Sequence, residues 1–531
     1  MTGNFTKHSL HYINYIGVMA MAKAIHKAAN GTKYVYDSIS YWDKQKKAPR
    51  TKQVYLGKLD PESNELIPKR VAPEKALELR QPSVRTIGPT MLFEQAATES
   101  GLRGILKKVF PEDWKELLTL AYYICHSGTA LSHCASWTKD HKVPSGGELS
   151  SQNISRLLQK IDENMKNQFL ASWSSRFSDD EMLCYDITSI SSHAQAMDFV
   201  RYGYNRDHEK LPQINLAMLY GQQSRLPVYY RQLPGNISDV STLKKTINLL
   251  DYAGLKKLCF IMDMGFYSQA NLDALYEQKY NFLLAAPATR NWISALIDEQ
   301  WDALNSPEAF RQDGDGSLYV TSRLEKWNGH RCYVHLFYNE ARKAQGNDEF
   351  MLRLAKYKEL LETGGSNTPR QEFYDRFLMV SETPKRGMKI RYDEDAVQKY
   401  RQRRSGVFVL LSNCIKEPMV ALASYREKDV IEKSFDDLKN EEDCKRLRVH
   451  SDRNADSKLF LAFLALIIRS FIANKVRQNG ELERIGIPRI LREMNTLREI
   501  TEKHRYRRII TEPTRIQRLV MECVGIAHPD A

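Results

Sequence analysis

An α/β core interrupted by an inserted subdomain is the fold class this sequence predicts, with a β-hairpin and a helical module before the core and a helical region after it. Three observations lead there. Two short apolar runs, Met182 to Tyr185 and Leu258 to Met262, each stop at an aspartate, as buried strands of a largely parallel sheet do. Residues 84–180 carry apolar side chains at helical spacing, among them Trp114, Leu117, Leu118, Ala121 and Tyr122, then Ile154, Leu157, Leu158 and Ile161. Finally, residues 288–405 separate two α/β stretches by more chain than a loop needs and read as an inserted subdomain.

Taken in order, residues 1–83 form an N-terminal extension and a basic β-hairpin. Thr32 to Tyr41 and Arg50 to Leu59 alternate apolar and polar residues. The turn between them holds Lys44, Lys46 and Lys47, with Arg50 and Lys52 at its exit. These cations suit phosphate contact, and equally a solvated tip. Residues 84–180 are the helical module, a candidate DNA-binding part. Its Cys125-His126 and His133-Cys134 pairs match no standard zinc-finger spacing. Residues 181–287 form the first part of the core. The strand ending at Asp186 is followed by a hairpin, Ile214 to Tyr220 and Leu226 to Gln232, and a helix near 239–251. After the strand ending at Asp263, Ser268 caps a helix over 269–279 and Phe282 to Ala286 is a further strand.

The insertion, 288–405, holds strands around Leu318 to Leu324 and Arg331 to Tyr338, a charged helix from Glu340 to about 362, a loop from Thr363 and the cations Lys399, Arg401, Arg403 and Arg404. Residues 406–475 complete the core with the strand Val407 to Leu411, a long helix over about 425–445 and a buried helix over 457–474. Residues 476–531 read as a basic helical end, with ten Lys and Arg against four Glu between 484 and 519.

The chain has 531 residues and a formal charge of +13, with 42% hydrophobic and 27% charged residues. This excludes a disordered chain and directs the surface toward a polyanion. Eight scattered cysteines without a C-x-x-C pair fit a reducing compartment rather than a disulfide scaffold. The longest apolar run, Leu459 to Ile468, is too short to span a bilayer, and the segment up to Lys23 lacks the basic and continuous apolar regions of a signal peptide. The expectation is a cytoplasmic protein whose partner is nucleic acid.

Position picks out three of the many carboxylates. Asp186 and Asp263 end apolar strands, well placed at the open end of a sheet. Glu432 follows on a predicted helix in which Tyr425, Lys428, Glu432, Phe435 and Lys439 are spaced 3, 4, 3 and 4 and share one stripe. Such an all-oxygen set suits hard Mg²⁺ or Mn²⁺, and two such ions about 3.5–4 Å apart would clamp an in-line displacement at phosphorus. Spacing alone leaves open the plainer explanation, a Lys428–Glu432 salt bridge and two turn aspartates.

These residues resemble the DDE transposases of bacterial insertion sequences, in the group with a Y-x2-R-x3-E-x6-K signature. The signature falls on Tyr425, Lys428, Glu432 and Lys439, within Ile431-Glu-Lys-Ser-Phe-Asp-Asp-Leu-Lys. Cys184-Tyr-Asp-Ile-Thr and Met262-Asp-Met-Gly-Phe-Tyr are similar to the contexts of the two aspartates, and Ser40-Tyr-Trp-Asp-Lys and Tyr55-Leu-Gly-Lys-Leu-Asp to the opening of one branch. One departure is Lys428 where the signature has arginine, a point charge in place of a bidentate fork.

The resemblance implies an RNase H-like core with the first Asp on the first strand, the second after the fourth, and the Glu on a later helix. It implies catalysis and metal binding by Asp186, Asp263 and Glu432 with two Mg²⁺ (or Mn²⁺), cleavage at the element's ends, and attack of the freed 3′-hydroxyl on target DNA. Tyr425, Lys428 and Lys439 are then DNA contacts beside Lys44, Lys46, Lys47 and Arg50. The partners are double-stranded terminal repeats and target DNA, a homodimer is expected in the active complex, and the location is the bacterial cytoplasm, at the nucleoid when bound. The alternatives are a metal-dependent nuclease without strand transfer and a decayed transposase acting as a DNA-binding repressor. A sugar hydrolase would leave the cationic patches unexplained.

Overall fold

The apolar runs assemble into a nine-stranded sheet. Its strands are β1 (Met182–Ser191), β2 (Gln213–Gly221), β3 (Pro227–Pro234), β4 (Cys259–Met262), β5 (Asn281–Ala286), β6 (Phe310–Asp313), β7 (Gly316–Trp327), β8 (His330–Tyr338) and β9 (Val407–Ser412), in the order β6-β7-β8-β9-β5-β4-β1-β2-β3. β4 runs parallel to both β1 and β5, and the remaining pairs are antiparallel. The structure, a computed structural model, describes residues 21–527 except 44–47, 70–82, 129, 179, 195–196, 208, 238–241, 244–245, 247–257, 315, 364–370, 384–386, 404, 443–445, 450 and 503–506. The lysines Lys44, Lys46 and Lys47 and most of the helix expected near 239–251 therefore lie outside the described residues.

Two expectations about the core change. β1 does not stop at Asp186 but continues to Ser191, because β2 pairs with it along its whole length, from Leu183 opposite Gly221 to Ser191 opposite Gln213. The strands of the insertion join the central sheet: β9 lies against β5 and β8 against β9, so β6 to β8 extend the sheet outward. Within 340–403 a smaller cluster of its own forms around Phe350, Leu354, Tyr374, Phe377, Leu378, Ile390 and Val397.

The helix Asp452–Arg477, wholly buried through its middle, passes behind the sheet and holds the helical module to it. Phe460 meets Phe110 and Phe169, with ring centroids 5.6 and 5.2 Å apart. Ser457 Oγ donates to the Leu158 carbonyl at 2.8 Å, and Cys125 Sγ to that of Ala465 at 3.2 Å. One continuous apolar core thus runs from the module through the sheet. By length and composition this helix could cross a membrane, but here it is the core of the protein. His126 Nε2, beside Cys125, pairs with Asn495 Oδ1 at 2.7 Å.

The chain divides into two compact units, residues 1–83 with 500–509 and residues 84–499 with 510–531. In the first, the expected hairpin is the centre of a four-stranded antiparallel sheet, Met21–Lys27, Lys33–Asp43, Ala48–Leu59 and Leu66–Pro68. Tyr36 and Tyr55 pair across it at 5.3 Å. The C-terminal region is less purely helical than expected: besides helices Gly480–Ile485, Ile487–Met494 and Arg515–Val524 it holds short strands Arg498–Glu502 and Arg507–Ile510.

Candidate active site

Strand register brings the two aspartates together. β4 is four residues long and ends with Met262 opposite Tyr185 of β1, so the next residues, Asp263 and Asp186, emerge side by side where one strand stops and the other continues. Asp263 leads into a turn of 3₁₀ helix, Met264–Phe266. Asp186 is held by the Ile187 N–H at 2.8 Å. The first aspartate thus lies on β1 and the second directly after β4.

The predicted helix over 425–445 is in fact two. Helix α1 (Pro418–Arg426) starts with proline in its first turn and ends at Glu427, and α2 (Asp429–Asp436) runs on into a π turn, Asp437–Glu441. Gln222 caps the break: its Nε2 donates to the Ser424 carbonyl at 3.0 Å and to Glu427 Oε2 at 2.7 Å, occupying the end of α1. Lys428 then sits at the joint, its N–H on the Tyr425 carbonyl at 3.1 Å. The expected single stripe is therefore corrected. Phe435 turns into the core, while Tyr425 and Lys428 meet Asp263 and Glu432 meets Lys428.

The contacts are specific. Tyr425 Oη donates to Asp263 Oδ1 at 2.7 Å. Lys428 Nζ lies 3.4 Å from Asp263 Oδ1 and 3.0 Å from Glu432 Oε1, with its side chain only 6% exposed. Burial pushes the Asp186 carboxyl up to about 6 against the pull of Lys428 and the Ile187 N–H, with Asp263 adding repulsion. Burial alone would lower Lys428, but Asp186, Asp263 and Glu432 together hold its ammonium above the usual lysine range. Tyr425 is raised by burial and by Asp263. A cavity of about 300 Å³ opens beside these groups, lined also by Phe408, Arg342 and the Arg426–Asp313 ion pair.

Asp263 and Glu432 thus share one ammonium, and Asp186 stands beside Asp263 on the neighbouring strand. The donors are all oxygen, which suits a hard divalent cation. Among the described residues, however, no three acidic, histidine or cysteine side chains stand close enough to hold an ion as they are. Lys428 bridges Asp263 and Glu432, so an ion at this place requires that side chain to withdraw and the carboxylates to draw together around it.

Lys439, expected as a DNA contact, is engaged within the chain. Lys439 Nζ makes two 2.8 Å bonds to Asp207, and Arg426 pairs with Asp313. Neither acid could have been found by spacing, since each is distant in sequence. Trp327 is tied to Asp273 Oδ1 at 3.0 Å and packs on Trp292.

The raised Asp186 carboxyl yields a pH prediction. Its folded value exceeds the ordinary one, so its contribution to stability is complete below about pH 4 and is lost as pH rises through about 6. In metal-free buffer, D186N should be more stable than the parent at pH 7–8 by on the order of 1–3 kcal/mol, the gap closing below pH 4. A gap in unfolding midpoint that does not depend on pH would refute this.

Residues 177–468, more than half of the chain, match the family described as a transposase DDE domain. The chain belongs to that family and is a DDE transposase, of the nuclease and transesterase class, whose members use divalent metal. No curated protein matches it. Among solved structures, the piggyBac transposase synaptic complex with hairpin DNA is 10% identical over 82% of this chain and 77% of that one, with a TM-score of 0.35. The Drosophila P element transposase strand transfer complex is 11% identical over 80% and 100%, with a TM-score of 0.19. Likenesses this weak add nothing to the family match.

Proposed function

We propose that this chain moves a bacterial insertion sequence of the Y-x2-R-x3-E-x6-K group, cutting DNA at the element's ends and joining the freed 3′-hydroxyls to target DNA. The observation that carries the reading is the cluster at the end of β4, where Asp263 stands beside Asp186 and shares the buried Lys428 ammonium with Glu432. Those three residues would hold two Mg²⁺ or Mn²⁺, which supply Lewis-acid charge to the phosphodiester when bound. Tyr425 fixes Asp263 by its hydrogen bond and closes one side of the site. Lys428, displaced from the carboxylates, is within reach of a phosphate entering the same space, and Lys439 would follow by leaving Asp207. The active form is a homodimer on two element ends, working at the nucleoid.

The test is incubation of the protein with duplexes carrying its own terminal repeats, a target plasmid and Mg²⁺. Cleaved ends joined to target support the reading. Cleavage without joining favours the nuclease, and binding without either favours a repressor.

The hairpin has its own prediction. Replacing Lys44, Lys46 and Lys47 with glutamine should weaken binding to end DNA and reduce the slope of log affinity against log salt by about 3. An unchanged slope in a salt titration would remove the hairpin from the interface.

A further inference from the structure

Between β1 and β2 the chain crosses the sheet end as Phe199-Val-Arg-Tyr-Gly-Tyr-Asn-Arg. Tyr202 and Tyr204 are 75% and 74% exposed, the highest values among the large apolar side chains described as exposed. Looseness does not account for this. The backbone of Arg201 exchanges two 2.9 Å hydrogen bonds with Gln213, and the Phe199 carbonyl accepts from the Gly235 N–H at 3.1 Å. The Tyr204 carbonyl accepts from the buried Gln213 Nε2 at 2.8 Å, and Asn205 Nδ2 donates to Ser191 Oγ at 3.2 Å. Gly203 is pressed so closely on the Gly235 carbonyl that a Cβ there has no room. The segment is a fixed frame that holds two phenol rings in water.

Its position is equally defined. Asp207, a few residues on, holds Lys439 from the π turn that continues α2, and Arg206 contributes to the electrostatics of Asp186. The segment that carries the rings thus leads within three residues of Tyr204 to Asp207, which is tied to the helix bearing Glu432. Rigid aromatic faces without charge of their own recognise flat apolar surfaces, and an unpaired nucleobase offers one where an intact duplex offers phosphates.

We propose that Tyr202 and Tyr204 form a stacking platform for bases unpaired beside the cleaved phosphodiester. This rests on the DNA-processing reading above and assigns the strand a binding face of its own.

The test uses the full chain without divalent metal and measures fluorescence anisotropy with labelled oligo(dT) of about 15 nucleotides and a duplex of equal length. The Y202A/Y204A pair should bind oligo(dT) at least about tenfold more weakly than wild type, with duplex affinity within about twofold, and Y202F/Y204F should retain both. The proposal falls if the alanine pair binds oligo(dT) as wild type does, if both ligands weaken equally, if the phenylalanine pair is as weak as the alanine pair, or if wild type does not bind oligo(dT). Wild type that cuts and joins its end DNA while the alanine pair binds normally would overturn this proposal and leave the transposase reading intact.

Discussion

Alanine at Asp186, Asp263 or Glu432 should lower Mg²⁺-dependent cleavage of element-end DNA by at least about a thousandfold, with DNA binding kept within about twofold. The size follows from what each carboxylate does. The site already concentrates negative charge at the place a phosphodiester must enter, and only bound cations make that arrangement productive. Removing one donor lowers the charge that holds the cations and displaces those that remain. Binding is spared because the affinity of such a protein for DNA comes from cations elsewhere on its surface. The plainer explanation makes a different forecast. If Asp186 and Asp263 were turn residues and Glu432 a salt-bridge partner, their loss would change stability and leave the rate within about tenfold once the protein is folded. Cleavage rates of the three variants under single-turnover conditions, with melting curves beside them, separate the two. Any variant that cuts at a near wild-type rate is removed from the catalytic set.

Much of this site could be read from the chain because apolar strands that end in a carboxylate leave a plain signal. Phe260 to Met262 is a short, fully buried apolar run of the kind central strands use, and Asp263 follows directly at its end. Asp186 lies inside β1 and not at its end, because the strand continues beyond the apolar run. The residues after it, Ile187 to Ser191, mix apolar and hydroxyl side chains, and their strand character comes from pairing with β2. The joint between α1 and α2 was not legible. Spacing of 3 and 4 from Tyr425 to Lys439 is what one continuous helix would show, and the break is capped by Gln222, some two hundred residues earlier. Long-range partners are invisible to local pattern, and the same holds for Asp207 on Lys439 and Asp313 on Arg426. The sheet strands of the insertion were recognised, but joining them to the core depends on the antiparallel return of β9 beside β5, a property of topology.

Lys428→Met should lower stability by about 2 kcal/mol in metal-free buffer, and added Mn²⁺ should return most of it. A buried lysine that loses its charge leaves Asp263 and Glu432 without the cation they share, with Asp186 beside Asp263. For fully buried groups the cost of such a break is about 3–5 kcal/mol, and it is discounted here because the side chains of Asp263 and Glu432 are 48% and 57% exposed. Mn²⁺ stabilises the variant more than the parent because nothing competes for the oxygens. The partner of the lysine can be identified by a double-mutant cycle. If Lys428 serves Asp186 in particular, methionine should cost less in a D186N background than in the parent, because one of the repelling charges is already gone. Lys428→Arg restores the residue of the family signature, and its stability should stay within about 1 kcal/mol of the parent if the charge is what the site requires. Equal destabilisation in both backgrounds, with no recovery on adding Mn²⁺, would mean that the aliphatic stem of Lys428 packs while its ammonium is idle, and the geometry at the centre of the site would then lack the electrostatic role argued for it.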